Sequence, residues 1–317
     1  QKFSIYSYSF SAQANVFDTG NYTTSLQTID SSSFGKYLLA VSPPKPLLIA
    51  NPVEAGLFPI LLFLHGFLLE NSFYSQLMQH IASHGFIVIA PQLYKLPKTD
   101  ASDEIKSTAA ITNWLSEGLS KLLPQNVKPD LSKLALSGHS RGGKTAFALA
   151  LKKLNTSTTL NFSAIIGVDP VDGLGKAVQI SPPVLTFSPH SFNFNMPVLI
   201  IGSGLGEVQR NPLFLACAPK GVSHEEFYSE CNKPAWHFVA KDYGHFDILD
   251  DVTKGILGKS TCCLCKNGNS RKPMRSFAGG VIVAFLKGYL KGDNSDLLAI
   301  RDKRLVAPVD LQIEYSV

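Results

Sequence analysis

The chain has 317 residues, of which 45% are hydrophobic and 17% are charged. This composition is typical of a folded globular protein and excludes a disordered chain. The formal net charge is only +5 and the basic residues are scattered, so no nucleic-acid partner is expected. No apolar run is long enough to span a bilayer. Because no linker or repeat divides the sequence, we predict a single domain over residues 1–317, with a loose lead-in over 1–35.

The N-terminal part of the chain carries few signals of regular structure. Residues 1–35 are rich in Ser, Thr, Asn and Asp, and at most an edge strand is expected there. Residues 37–50 are extended in pattern but contain Pro43, Pro44 and Pro46. Because proline cannot donate to a strand ladder, this segment is predicted at a sheet edge or in a hairpin.

From residue 58 onward, short apolar runs alternate with helical patterns. Short continuous apolar runs are typical of strands buried on both faces, and apolar residues three or four apart indicate helices. In chain order the pattern predicts strand 58–64, helix 71–84, strand 86–90, helix 101–123, strand 134–137, helix 144–154, strands 164–168, 198–201 and 236–239, and helix 277–290. This alternation predicts an α/β fold with a mostly parallel central sheet and helices on both faces.

One motif points to chemistry. Residues 138–142, Gly-His-Ser-Arg-Gly, fit the pattern G-x-S-x-G and stand between a predicted strand and a predicted helix. In α/β hydrolases this pattern forms a strained turn that exposes the serine, and its flanking positions must be small. An ordinary turn does not explain three glycines around one serine. The motif therefore predicts Ser140 as the nucleophile of an ester hydrolase with the α/β-hydrolase fold.

An ester hydrolase also needs donors for the oxyanion of its tetrahedral intermediate. One is expected from the backbone N–H of the residue after the nucleophile, Arg141, whose side chain is interpreted as surface or packing. The second is expected from the loop after an earlier strand, where His65-Gly66-Phe67 follows strand 58–64. We predict Phe67 N–H as this donor and His65 as a brace for the loop.

A base and an acid should follow the nucleophile along the chain, in the order Ser, acid, His. Of the eight histidines, His245 is the best placed, because it follows a predicted strand late in the chain. Two carboxylates are candidates for the acid: Asp169, directly after strand 164–168, and Glu207, after the next strand. Asp169 is favoured because active-site groups lie at the carboxyl ends of parallel strands.

The five cysteines all lie in the second half of the chain. Their spacing does not provide the four ligands of a zinc site, so no metal is expected. Cys217 and Cys231 form a candidate disulfide across a loop, and the odd count leaves at least one cysteine of the chain without an intramolecular partner. The remaining three are Cys262, Cys263 and Cys265.

Two segments resemble plant chlorophyllases: residues 138–147, Gly-His-Ser-Arg-Gly-Gly-Lys-Thr-Ala-Phe, and residues 217–251, which include Lys-Asp-Tyr-Gly-His-Phe-Asp. The resemblance extends over most of the chain. It implies hydrolysis of the phytyl ester of chlorophyll to chlorophyllide and phytol, through a catalytic triad of Ser140, Asp169 and His245. It implies no metal or other cofactor for catalysis, because the magnesium belongs to the substrate.

The substrate implied by this resemblance is a large macrocycle with a long alkyl tail, and its binding should depend mainly on apolar area. The candidates for the apolar wall follow the oxyanion loop in sequence: Phe67, Leu68, Leu69 and Tyr74. Phe73 and Leu77 are instead expected to face the core.

Other interpretations stay open at this point. The triad is equally compatible with a general carboxylesterase or lipase acting on smaller esters, and the fold also with a binding protein that has no turnover. The substrate favours a chloroplast location and peripheral membrane contact through exposed apolar loops. Sequons at Asn21, Asn155 and Asn161 leave a secretory or vacuolar route open. The sequence does not predict an oligomeric state.

Overall fold

The computed structural model describes residues 14–30, 42–96 and 98–317, within which nine strands form one central sheet. The strands of this sheet are β1 (Thr24–Ile29), β2 (Leu47–Pro52), β3 (Gly56–Leu64), β4 (Ile87–Pro91), β5 (Val127–His139), β6 (Ala164–Val168), β9 (Val198–Ser203), β10 (Ala235–Ala240) and β11 (Leu311–Ser316). A separate pair consists of β7 (Gly173–Gly175) and β8 (Val178–Gln179). The helices are α1 (Ser75–Ser83), α2 (Ser102–Gly118), α3 (Arg141–Ala150), α4 (His224–Glu230), α5 (Gly255–Ser260), α6 (Arg271–Lys291) and α7 (Ser295–Arg301).

The order of strands across the sheet is β1-β2-β4-β3-β5-β6-β9-β10-β11. The six strands from β4 to β10 in this order are parallel to one another. The other three, β1, β2 and β11, run antiparallel to their neighbours at the two sides. The prediction of a mostly parallel sheet in an α/β fold is therefore confirmed. Parallel strands bring their carboxyl ends to one edge, and the candidate site residues follow those ends.

Helices cover both faces of the sheet, as predicted. On one face, apolar side chains of α1, α6 and α7 pack against the sheet in one core cluster. On the other face, α2, α3 and α4 contribute to a second cluster. Phe73 and Leu77 lie in the first cluster and are almost wholly buried, which confirms that they face the core. The single-domain organisation stays a prediction, which one continuous sheet supports.

The placement of β2 corrects one prediction. Residues 47–52 do not lie at a sheet edge, because β2 is paired on both sides, with β1 and β4. Pro43, Pro44 and Pro46 all precede the strand, so they remove no donor from its ladder. The antiparallel pairing with β1 agrees with the hairpin alternative, and β1 is the edge strand expected in the lead-in. Residues 37–41 lie outside the described residues.

Several elements were not anticipated from the sequence. The C-terminal strand β11 pairs with β10 and forms the second edge of the sheet, while α4 and α5 occupy segments for which no helix or strand was predicted. Helix α6 begins at Arg271, six residues before its predicted start, because the polar first turn hides the periodicity. None of the helices in the described ranges combines the length and apolar character that crossing a bilayer requires.

Candidate active site

The turn between β5 and α3 holds Ser140 in a strained conformation. Its backbone has φ 56° and ψ −125°, a region that residues other than glycine rarely adopt. A hydrogen bond stabilises this conformation: Ser140 N–H donates to the carbonyl of Val168 at 3.0 Å. The Ser140 carbonyl in turn accepts from Lys144 N–H in α3 at 3.1 Å. The tight turn places the hydroxyl at the carboxyl edge of the sheet.

The glycines around Ser140 are required by close backbone contacts. A Cβ added to Gly138 would collide with the backbone of Gly142, one turn later. A Cβ added to Gly142 would collide with the carbonyl oxygens of Leu64 and His65 at the end of β3. Both contacts are with backbone, which cannot move aside cheaply. The G-x-S-x-G spacing is therefore explained by close backbone contacts within the turn, at Gly138, and between the turn and the end of β3, at Gly142.

Three side chains form a hydrogen-bonded line at this edge. Ser140 Oγ lies 2.8 Å from His245 Nε2, and His245 Nδ1 lies 2.7 Å from Asp169 Oδ2. A carboxylate oxygen can only accept, so Nδ1 carries the imidazole proton and Nε2 accepts from the hydroxyl. The three residues are 7%, 3% and 1% exposed. This arrangement can remove the proton of the hydroxyl as it attacks an electrophile.

Asp169 is held as an anion. It follows β6 directly with φ 44°, and its carboxylate accepts hydrogen bonds from the Ser203 hydroxyl and from Ser203 N–H. Burial raises the pKa of Asp169, but the hydrogen bond and charge of His245, together with the Ser203 hydroxyl, outweigh it and lower the pKa to about 2. At neutral pH the carboxylate is thus ionised and can orient the imidazole of His245.

Glu207, the other candidate for the acid, makes no hydrogen bond to His245. Glu207 lies in the loop after β9, and burial raises the pKa of its carboxyl. Although Glu207 and His245 are both described, no hydrogen bond or ion pair joins them. Of the two carboxylates proposed from the sequence, the structure thus brings Asp169 onto His245 and leaves Glu207 apart.

The loop that carries Phe67 lies directly against Ser140. A Cβ placed on Gly66 would come within 3.2 Å of Ser140 Cβ. His65 braces this loop: its Nδ1–H donates to the Gly66 carbonyl at 2.9 Å, and its Nε2 accepts from Leu93 N–H at 3.0 Å. Burial lowers the pKa of His65 to about 4, which keeps the ring neutral. This contact agrees with the predicted role of His65.

The second proposed oxyanion donor begins α3. Because Arg141 is the first residue of the helix, its N–H has no intrahelical acceptor. Its side chain is not at the surface: the guanidinium is buried and paired with Glu104 of α2 at 2.5 Å. It also donates to the Asp100 carbonyl at 3.2 Å. The ion pair fixes the N-terminus of α3 against α2, so the packing alternative for this side chain is the one observed.

The structure corrects the role proposed for Tyr74. This residue is wholly buried behind the oxyanion loop and does not reach the cavity at Ser140. Its hydroxyl accepts from Gly66 N–H at 3.1 Å and lies 2.8 Å from His139 Nδ1. His139 Nε2 lies 3.0 Å from the His245 carbonyl, so Nε2 donates there and Nδ1 accepts from Tyr74. Burial holds the pKa of His139 well below its usual value, so this pattern persists at neutral pH.

One chain of hydrogen bonds therefore joins the oxyanion loop to the loop that carries His245, and it runs through Gly66, Tyr74, His139 and His245. We expect Tyr74→Phe to lower kcat about tenfold with little change in KM, because it leaves two buried partners without a hydrogen bond and so loosens both loops. The free energy of unfolding should fall by roughly 1–3 kcal/mol. The measurement is steady-state kinetics with a thermal unfolding curve. The matched control is Tyr289→Phe, which lies away from the site and removes a phenol hydroxyl that accepts a hydrogen bond from Trp236 Nε1–H. A KM effect alone, or equal kcat losses in both variants, would contradict a positioning role.

The proposed wall residues Phe67, Leu68 and Leu69 line a cavity of about 290 Å³ that contains Ser140 and His245. Residues from two further segments, 214–217 and 257–264, also line this cavity. The lining is mostly apolar. The sequence pattern does not predict that these two segments line a cavity, because they lie in loops and a short helix without periodicity.

A disulfide joins the first of these segments to Cys265, the residue that follows the second, and corrects the predicted pairing. Cys217 is bonded to Cys265, not to Cys231. Cys231 is buried at the end of α4, where its thiol donates to the Phe227 carbonyl. The exposed Cys262 and Cys263 are free. In the part of the chain that is described, no three His, Cys, Asp or Glu side chains cluster as metal ligands would.

We expect reduction of the Cys217–Cys265 disulfide to lower stability by about 4 kcal/mol, because the bond closes a long loop in the unfolded chain. Thermal unfolding with and without dithiothreitol measures this. Thiol titration of the unfolded, non-reduced protein should detect Cys231, Cys262 and Cys263 only. Cys262→Ser serves as the control and should leave the unfolding temperature unchanged. Unfolding temperatures that do not respond to reductant would contradict the expectation.

The fold and the Ser–His–Asp line define an ester hydrolase of the α/β-hydrolase fold. The chlorophyllase family model matches residues 12–316. Chlorophyllase-2 from Arabidopsis thaliana is 60% identical over 316 residues, covering 98% of this chain and 99% of the relative. Chlorophyllase-1, chloroplastic, from Citrus unshiu is 46% identical over 308 residues, covering 95% and 88%. The chain belongs to the chlorophyllase family.

Proposed function

We propose that this protein hydrolyses the phytyl ester of chlorophyll to chlorophyllide and phytol through an acyl-enzyme on Ser140. The observation that carries the proposal is the hydrogen-bonded line Ser140–His245–Asp169 beside an apolar cavity, in a chain of the chlorophyllase family. The relatives named chlorophyllase match nearly its full length. The reaction is the transfer of the chlorophyllide acyl group first to Ser140 and then to water.

The first half of the reaction acylates the serine. As Ser140 Oγ attacks the ester carbonyl, His245 Nε2 takes its proton, and the Asp169 anion stabilises the imidazolium that forms. The negative charge that develops on the carbonyl oxygen is stabilised by the N–H groups of Phe67 and Arg141. These donors belong to braced segments, so they need little reorganisation during the reaction.

Phytol leaves at the end of this first half, and chlorophyllide leaves at the end of the second half. His245 Nε2–H protonates the phytol oxygen as the carbon–oxygen bond breaks, which leaves chlorophyllide esterified to Ser140. A water molecule then enters, gives its proton to the same nitrogen and attacks the acyl carbon. Collapse of the second tetrahedral intermediate returns the proton to Ser140 Oγ and frees chlorophyllide as its carboxylic acid, which then loses its proton to water.

The test is incubation of the purified protein with chlorophyll a in mild detergent, beside short p-nitrophenyl esters. Chlorophyllide and phytol should appear in equal amounts. If only the short esters are cleaved, the protein is a general carboxylesterase and the pigment assignment is wrong. If nothing is cleaved and a fluorophosphonate probe does not label the protein, the hydrolase-fold binding protein is the better account.

We also propose that the protein contacts membranes peripherally, in the chloroplast. The relative from Citrus unshiu is named chloroplastic. Large apolar side chains stand in solvent near the cavity, among them Leu213 at 91% and Ile256 at 89% exposure. Lys254 and Lys259 stand on either side of Ile256 in the sequence and are exposed, which suits a lipid surface that carries negative charge.

We expect the double variant Leu213→Asp, Ile256→Asp to bind lipid vesicles more weakly than the unmodified chain, because charged side chains enter the acyl boundary poorly. Co-sedimentation with vesicles of neutral and anionic lipid measures the bound fraction. The exposed Val306→Asp is the control and should bind as well as the unmodified chain. Complete release from vesicles by salt alone would show that apolar contact plays no part.

A further inference from the structure

Two cavities meet at Ser140. The His245-side cavity, about 290 Å³, includes Ser140 and His245 together with Leu69, Phe214, Ala216, Phe246, Leu257 and Leu264. The Arg141-side cavity, about 490 Å³, includes Ser140 and Arg141 together with Lys98, Thr99, Val171, Val178 and Gln179. Phe67, Leu174 and Cys217 border both. An ester has two arms, the alcohol group and the acyl group on either side of the ester linkage. An ester bound at Ser140 therefore has one cavity available for each arm.

The position of the proton donor decides which arm enters which cavity. The leaving alcohol takes its proton from His245 Nε2, so its oxygen must lie within hydrogen-bond reach of that atom, about 2.6–3.2 Å. The carbonyl oxygen points instead to the N–H groups of Phe67 and Arg141. The alcohol arm then continues from its oxygen on the His245 side. The acyl arm, attached to the other side of the carbonyl carbon, is directed to the Arg141 side.

We infer that the His245-side cavity binds the long alkyl alcohol and the Arg141-side cavity binds the macrocyclic acyl group. This inference rests on the proposed function. The lining agrees with it. The His245-side cavity is the smaller and has a mostly apolar lining, as a flexible hydrocarbon chain requires, with Ser260 and Thr261 as its polar members beside Ser140 and His245. The Arg141-side cavity is larger and carries Lys98, Thr99 and Gln179, which suits a rigid ring with keto and ester oxygens at its edge.

Two substitutions narrow one cavity each. Ala216→Phe adds a ring to the His245-side cavity, and Val178→Trp adds one to the Arg141-side cavity. Both positions are at least partly exposed, so the larger side chains need not enter the core. Val306→Trp adds an aromatic side chain to an exposed position away from both cavities and is the control. Ala216→Leu and Thr99→Phe replace the first two variants if a thermal unfolding curve shows that either has lost its fold.

The readout is kcat/KM on three esters: chlorophyll a, chlorophyllide a methyl ester and phytyl acetate. We expect Ala216→Phe to lower the values for chlorophyll a and phytyl acetate about tenfold or more, and to leave the methyl ester nearly unchanged. Val178→Trp should lower the values for chlorophyll a and the methyl ester and spare phytyl acetate. Val306→Trp should match the unmodified protein on all three. The opposite pattern, or equal losses on all three esters in a folded variant, would overturn the assignment.

Failure of the pigment assignment would be visible separately. If the unmodified protein does not cleave chlorophyll a, the proposed function is wrong, but the two arms can still be tested with simple esters. Phytyl acetate has a long alcohol arm, and p-nitrophenyl palmitate has a long acyl arm. Ala216→Phe should then slow the first and Val178→Trp the second. The reverse selectivity would contradict the direction of the two arms whatever the natural substrate is.

Discussion

Ser140→Ala is expected to lower kcat by about a millionfold with little change in KM. The substitution removes the attacking oxygen while leaving the oxyanion donors and the apolar cavity in place. Whatever activity is left should come from water attack assisted by those groups. Hydrolysis of a p-nitrophenyl ester and of chlorophyll a, both under saturating conditions, measures the loss. A thermal unfolding curve shows whether the fold is intact.

The matched control for this variant is Ser137→Ala, three residues earlier on β5. The Ser137 hydroxyl is buried and makes no hydrogen bond within the described residues, so its removal should affect neither kcat nor stability strongly. Comparable losses of kcat in both variants would mean that disturbance of β5, rather than loss of a nucleophile, explains the effect. A Ser140→Ala protein with substantial turnover would rule out an acyl-enzyme on this residue.

Asp169→Asn is expected to lower kcat by about 10⁴-fold at neutral pH. The amide that replaces the carboxylate can donate a hydrogen bond to Nδ1 of His245, so the imidazole proton no longer has to be on Nδ1. The neutral amide also does not stabilise the imidazolium. In the other tautomer Nε2 carries the proton and cannot accept one from Ser140. Because the pKa of Asp169 is lowered to about 2, the native carboxylate is already ionised at the pH of the assay. The loss of kcat therefore measures what the Asp169 anion contributes to catalysis.

Glu207→Gln is the matched control, because it neutralises the other carboxylate that the chain order permits. Its side chain makes no hydrogen bond to His245, so kcat should stay within about threefold of the native value, as is usual for a residue outside the reacting unit. A large loss in Glu207→Gln together with a small one in Asp169→Asn would transfer the role of the acid to Glu207.

The sequence was most informative where the chemistry depends on local geometry. The turn around Ser140 is built from five consecutive residues, and its glycines are required by contacts within the turn and with the end of β3. The parallel sheet follows from short apolar runs, and it brings residues after β6 and β10 to the same edge as the end of β5. For this reason Ser140, Asp169 and His245 could be selected before their distances were known.

Features that depend on distances between remote segments could not be predicted. The position of Tyr74 just after the oxyanion loop predicts that it lines the cavity, but a 3₁₀ turn over Asn71–Tyr74 directs it into the core, where it forms a hydrogen bond with His139. Proximity in sequence favours a disulfide between Cys217 and Cys231, whereas the fold brings Cys217 to Cys265. Sequence spacing alone carries no information on either contact.

The most direct test of the account is hydrolysis of chlorophyll a in water enriched with ¹⁸O, with the native protein and Ser140→Ala in parallel. We expect the native protein to yield chlorophyllide with one ¹⁸O atom in its carboxylate and phytol without label, because water attacks the acyl carbon of the enzyme-bound ester. Ser140→Ala should yield essentially no product. Label in phytol, or labelled chlorophyllide formed by Ser140→Ala at the native rate, would contradict acyl transfer through Ser140.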